Sequence, residues 1–138
     1  MEACPTGQHD HHNVYEAGCP CRSLLDLLAN KWTALAIGAL EDGPVRFGAL
    51  KQTLGGVSPK MLAQTLRRLE ASDLVSRTVY PAVPAHVEYA LTDLGRSVAE
   101  PLRGLRLWVE HHLDDVIGPD RPRDAALIDG EVSRPRRR

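Results

Sequence analysis

No apolar run in this chain approaches the ~20 residues needed to span a bilayer. The polar, His-rich start shows no leader pattern, so the expected compartment is the cytoplasm. Enzyme signatures are missing too. There is no Ser-His-Asp arrangement, no Gly-rich phosphate loop and no pair of carboxylates set for a cleft. Glu41-Asp42 and Asp114-Asp115 read as solvated helix ends, and no enzymatic activity is expected. Cysteine is scarce and odd in number: Cys4, Cys19 and Cys21 all fall near the start, a poor disulfide framework and a sign of a reducing compartment. Cys4, His9, His11, His12, Cys19 and Cys21 have the donor types of a Zn or Cu site, but their spacing matches no standard zinc pattern. They read as a solvated arm, with no metal or cofactor expected. Lysine is rare as well: of 17 cations only three are Lys, and Arg suits bidentate contacts to phosphates and bases. The net charge of -1 does not exclude a nucleic-acid partner, because the placement of the cations matters more than their sum.

What is present suits one ordinary globular domain: 138 residues, 43% hydrophobic and 25% charged. Residues 1–18 lack any period and read as a flexible arm. Residues 118–138 hold Gly118, Pro119, Pro122 and a run of terminal arginines, and read as a flexible tail. The folded domain is expected over 19–117. Cys19-Pro20 reads as a helix cap followed by the Pro favoured at the first helical position, with Leu24, Leu25, Leu27 and Leu28 as the apolar face. A break at Asn30-Lys31 precedes a second helix over 32–41 with Leu35, Ala36, Ala39 and Leu40 inward, stopped by Asp42-Gly43-Pro44.

The stretch after that stop is the most informative. Phe47, Leu50 and Leu54 recur at i, i+3, i+7 and make a short amphipathic helix. Gly55-Gly56 ends it, and Ser58-Pro59 starts another helix whose Leu62, Leu66 and Leu69 share one face. The period then switches to two over 74–80 and 86–91, joined by Pro81-Ala82-Val83-Pro84, which predicts a β-hairpin. Thr92 caps a last helix with an apolar stripe through Leu94, Val98, Leu102, Leu105, Val109, Leu113 and Val116, bent at Pro101.

Helix, tight turn, helix and hairpin in this order predict a winged helix-turn-helix, mainly α with a small β-hairpin (α+β). Its second helix would lie in the major groove of double-stranded DNA. Lys60, Gln64, Arg67 and Arg68 fall opposite the leucine stripe; Lys60 and Gln64 are placed for base edges, Arg67 and Arg68 for bases or phosphates. Ser58 and nearby backbone N–H groups can hold a phosphate. Arg77 and His86 on the hairpin either touch the DNA backbone or minor groove or are simply solvated. The competing reading is the same fold as a protein-interaction module, its polar helix face docking a partner.

The segment from Cys19 to Trp108, about two-thirds of the chain, resembles the HxlR-type winged-helix regulators, relatives of the MarR group. The matching stretches include Cys19-Pro20, Lys31-Trp32-Thr33, Asp42-Gly43-Pro44-Val45-Arg46-Phe47, Val57-Ser58-Pro59-Lys60-Met61-Leu62, Thr65-Leu66-Arg67-Arg68-Leu69-Glu70 and Glu88-Tyr89-Ala90-Leu91-Thr92. The resemblance implies a homodimeric, non-enzymatic transcription regulator with N- and C-terminal dimerisation helices; the symmetry of such a dimer predicts a near-palindromic operator, and an oxidant or small ligand is the candidate effector. That family often has Gly where Asn30 stands, Asn being a substitute in left-handed backbone. It usually has Arg near the wing tip, where this chain has His86; a neutral His gives less to phosphate binding.

Some members of that family sense oxidants through a cysteine at the Cys-Pro position. Here that residue is Cys19, with Cys21 or the partner copy's Cys19 as resolving thiol. A helix start and Arg22 beside Cys19 would both favour thiolate. The alternative is a small buried residue that only packs.

Overall fold

The computed structural model describes residues 12–118; the expected tail beyond Gly118, and Cys4, His9 and His11 of the arm, lie outside the described residues. The elements are α1 (Cys21–Leu28), α2 (Lys31–Ala39), β1 (Val45–Arg46), α3 (Phe47–Thr53), α4 (Pro59–Ala71), β2 (Val75–Tyr80), β3 (His86–Leu91) and α5 (Asp93–Ile117). One compact unit ends at Leu105 and a second begins at Arg106.

The helix starts are set by capping side chains. Asn30 accepts from the N–H groups of Trp32 and Thr33 at 2.8 and 3.4 Å, and its backbone is extended rather than left-handed. Asn30 is therefore an N-cap, not a stand-in for a left-handed Gly. Ser58 accepts from the Met61 N–H at 3.0 Å with Pro59 at the first position, as expected. Thr92 accepts from the Gly95 N–H at 3.0 Å and donates to the Asp73 carbonyl at 2.6 Å, tying the start of α5 to the end of α4. The first helix differs: Pro20, in helical conformation, is the residue before α1, and Cys19 lies one step further out rather than capping it.

Leu62, Leu66 and Leu69 are fully buried and pack with Leu27, Ile37, Leu40, Leu50 and Leu54 in one core. In α2 the inward set is Thr33, Ala36, Ile37 and Leu40, while Leu35 is exposed. The expectation held at Ala36 and Leu40, with Ala39 packed against the core, and failed only at Leu35, because α2 is apolar nearly all round and its period does not pick a face. In α1, Leu24 and Leu25 are exposed and Leu27 carries the contact.

The sheet has three strands in the order β1-β3-β2, one more than the expected hairpin. β1 is two residues long, and Val45 pairs with Tyr89 and Arg46 with Glu88. Such a short strand has no period to read; its existence depends on β3 lying beside it.

Candidate nucleic-acid interface

The turn from α3 to α4 aims the second helix. Val57 donates to the Leu54 carbonyl at 3.1 Å, and Gly56 adopts φ +89°, a region a side chain disfavours. With Leu62, Thr65, Leu66 and Leu69 buried, the opposite face of α4 carries Lys60, Gln64 and Arg67 in solvent. Arg68 is exposed too, but stands on the flank nearest α1, lining a shallow depression with Ser23, Leu24 and Leu27. Among the described residues, the side chains of Lys60, Gln64, Arg67, Arg68 and Arg77 make no hydrogen bond or ion pair. Cations held outward without partners are available to an external anion.

The start of α4 offers an anion less than expected. Pro59 has no N–H, the Met61 N–H is taken by Ser58 Oγ, and the Leu62 N–H by the Ser58 carbonyl at 2.9 Å. Of the first four helix residues, Lys60 alone has an amide outside these bonds.

The hairpin separates its two candidate residues. Arg77 pairs with Tyr89 and shares the sheet face of buried Val75, extending past the core edge. His86 pairs with Tyr80 on the opposite face, because neighbours along a strand alternate. There its ring stacks on Tyr80 with centroids 4.9 Å apart, and Nε2 lies 3.5 Å from Glu88 Oε2. His86 is thus occupied within the wing while Arg77 is not. Val83, at the tip, is completely exposed.

Cys19 is 3% exposed, with Sγ 3.9 Å from His12 Nδ1. Residues 13–19 form tight turns in front of α1, and Arg22 Nε donates to the Val14 carbonyl at 2.9 Å. The guanidinium expected to bias the thiol is therefore engaged with the preceding turn. Cys21 is half-buried. No cluster of three or more potential metal ligands occurs among the described residues, nor any helix long and apolar enough to cross a membrane.

The family model for HxlR-like helix-turn-helix proteins matches residues 27–116, spanning the core, the α3–α4 pair and the hairpin. The chain belongs to the HxlR-like helix-turn-helix family. This HxlR-type chain is 43% identical over 105 residues to the uncharacterized HTH-type transcriptional regulator YtfH of Escherichia coli (strain K12), covering 76% of this chain and 83% of that one. It is similar in structure to YtfH of Salmonella typhimurium, with a TM-score of 0.74 at 42% identity over 77% of this chain and 95% of the other. The redox regulator HypR in its oxidized form matches with a TM-score of 0.62 at 34% identity, over 67% and 96%. Within this family fold, α3 and α4 are the helix-turn-helix and β2–β3 the wing.

Sequence reasoning missed Met61, an apolar residue exposed on α4 beside Lys60, and Arg46 on β1. Met61 was readable from the leucine period of α4, which leaves it off the buried stripe, whereas Arg46 became readable only once the third strand was placed.

Proposed function

We propose that this HxlR-type regulator binds a near-palindromic DNA operator as a homodimer, presenting α4 to the major groove and Arg77 to the backbone. The observation that carries this is the outward set Lys60, Gln64 and Arg67, opposite the buried leucines and without a hydrogen-bond or ion-pair partner among the described residues. A dimer is supported by exposed Leu24 and Leu25 on α1 and by Leu107, Trp108 and Val109 on α5, large apolar side chains the protomer leaves in water. No catalytic step belongs to this reading.

The test is selection of duplexes from a random pool, then binding of the selected and scrambled sequences across a salt series. Affinity for the selected duplex should exceed that for the scrambled one and fall steeply with salt as counterions are released. Equal, salt-insensitive binding to both would favour the protein-interaction alternative.

A second reading, response to an oxidant through Cys19, is favoured by the His12–Cys19 approach and by the likeness to HypR. Two thiols, those of Cys19 and of either Cys21 or the partner copy's Cys19, would join as a disulfide, their two electrons and two protons passing to the oxidant. Since Cys19 is buried, residues 12–18 would have to move first. Diamide should weaken operator binding by the wild type and leave Cys19→Ser unchanged; the same loss in both would remove Cys19 from the mechanism.

A further inference from the structure

We infer that Met61 is a specificity residue of α4 that reads the 5-methyl group of a thymine. The inference rests on the DNA-binding reading above and names one base feature that reading leaves open. Met61 is 39% exposed, whereas the leucines at 62, 66 and 69 are buried, so it stands at the rim of the outward face, on the side of Arg68. Its neighbour towards the outward face is Gln64, three residues on. Its backbone is fixed: the Met61 N–H is held by Ser58 Oγ at 3.0 Å, in the first turn of the helix. The first turn of a recognition helix is where side chains reach base edges.

Lys60 and Gln64 are hydrogen-bonding groups, suited to guanine and adenine edges. Met61 has no donor and only a weak acceptor, so it cannot read a base by hydrogen bonds. The one apolar feature of the major groove is the thymine methyl. An unbranched, polarizable thioether adapts to such a small target without fixing the whole docking geometry. Three residues separate Met61 from Gln64, and the corresponding ~4.5 Å along the helix spans one or two base-pair steps. The thymine is therefore placed within about two base pairs of the adenine that Gln64 pairs with.

The experiment replaces each thymine of the selected operator, one at a time, by deoxyuridine, which keeps every hydrogen-bonding group and removes only the methyl. In the wild type, one position per half-site should lose affinity about fourfold, the value of one buried methyl-sized group. In Met61→Ala, which removes an exposed side chain and leaves the leucine face intact, the same replacement should cost nothing; Met61→Leu should retain part of the effect. A wild type indifferent to every deoxyuridine, a half-site with no thymine, or an identical deoxyuridine profile in Met61→Ala would overturn the inference while leaving operator binding standing. Failure of the wild type to prefer any sequence would overturn the DNA-binding reading itself, and this inference with it.

Discussion

Two single residues mark where backbone geometry overrides side-chain chemistry. At Gly95, in the first turn of α5, an added methyl would run into the Leu74 carbonyl, part of the backbone between α4 and β2. That carbonyl also accepts from the Thr92 N–H at 3.1 Å, so it cannot easily withdraw. Gly95→Ala should cost about 3 kcal/mol, read as a fall in denaturation midpoint at unchanged m-value. Asp73 presents the opposite case. α4 ends with Leu74 donating to the Leu69 carbonyl and Asp73 to that of Glu70, a Schellman arrangement with Asp73 at φ +60° where Gly is preferred. Asp73→Gly should raise stability by about 1 kcal/mol in the same measurement, since the left-handed penalty exceeds the extra chain entropy of Gly.

At the scale of elements, α4 and the hairpin divide the labour of recognition. In the proposed complex the outward face of α4 would meet bases, and Arg77 on β2 would meet phosphates. Lys60→Ala or Gln64→Ala should narrow the gap between selected and scrambled duplexes by about 1–3 kcal/mol per lost base contact. Arg77→Ala should weaken both duplexes alike and reduce the salt slope by roughly 1 per protomer. Equal losses on both duplexes for the α4 variants would reverse the assignment. His86→Ala should change operator affinity little, because its ring is stacked on Tyr80 and its Nε2 lies against Glu88; competition binding would show it. These roles follow from strand alternation, which puts Arg77 and His86 on opposite sides of one ribbon.

For the molecule as a whole, the proposed operator binding would depend on two copies acting together. Val109→Glu introduces a charge at an exposed apolar position of α5, so the protomer should fold normally. Sedimentation should shift from dimer to monomer, and operator affinity should fall about a hundredfold, because a single half-site loses the effective concentration of the second. A variant that stays dimeric would place the contact elsewhere on the exposed apolar surface. In the dimer, half-sites about one DNA turn apart, ~34 Å, would be bound best.

The amino-acid sequence by itself determined every element except β1, and their order. Caps at Ser58 and Thr92, the Gly55-Gly56 stop, the leucine period of α4 and the switch to alternation at β2 are all local signals, and each depends on a few adjacent residues. Which way ambiguous segments face was decided only by tertiary structure. Ile37 rather than Leu35 turned inward, and Leu24 and Leu25 stayed outside, because apolar residues on several sides of a helix leave the choice to whatever packs against it. β1 exists because β3 runs past it, Cys19 is buried with His12 brought to its thiol by the turns between them, and His86 is engaged by strand partners. For α2 and β1 the deciding neighbour lies far along the chain; for Cys19 and His86 it lies within seven residues, but only the folded turn and hairpin bring it into contact.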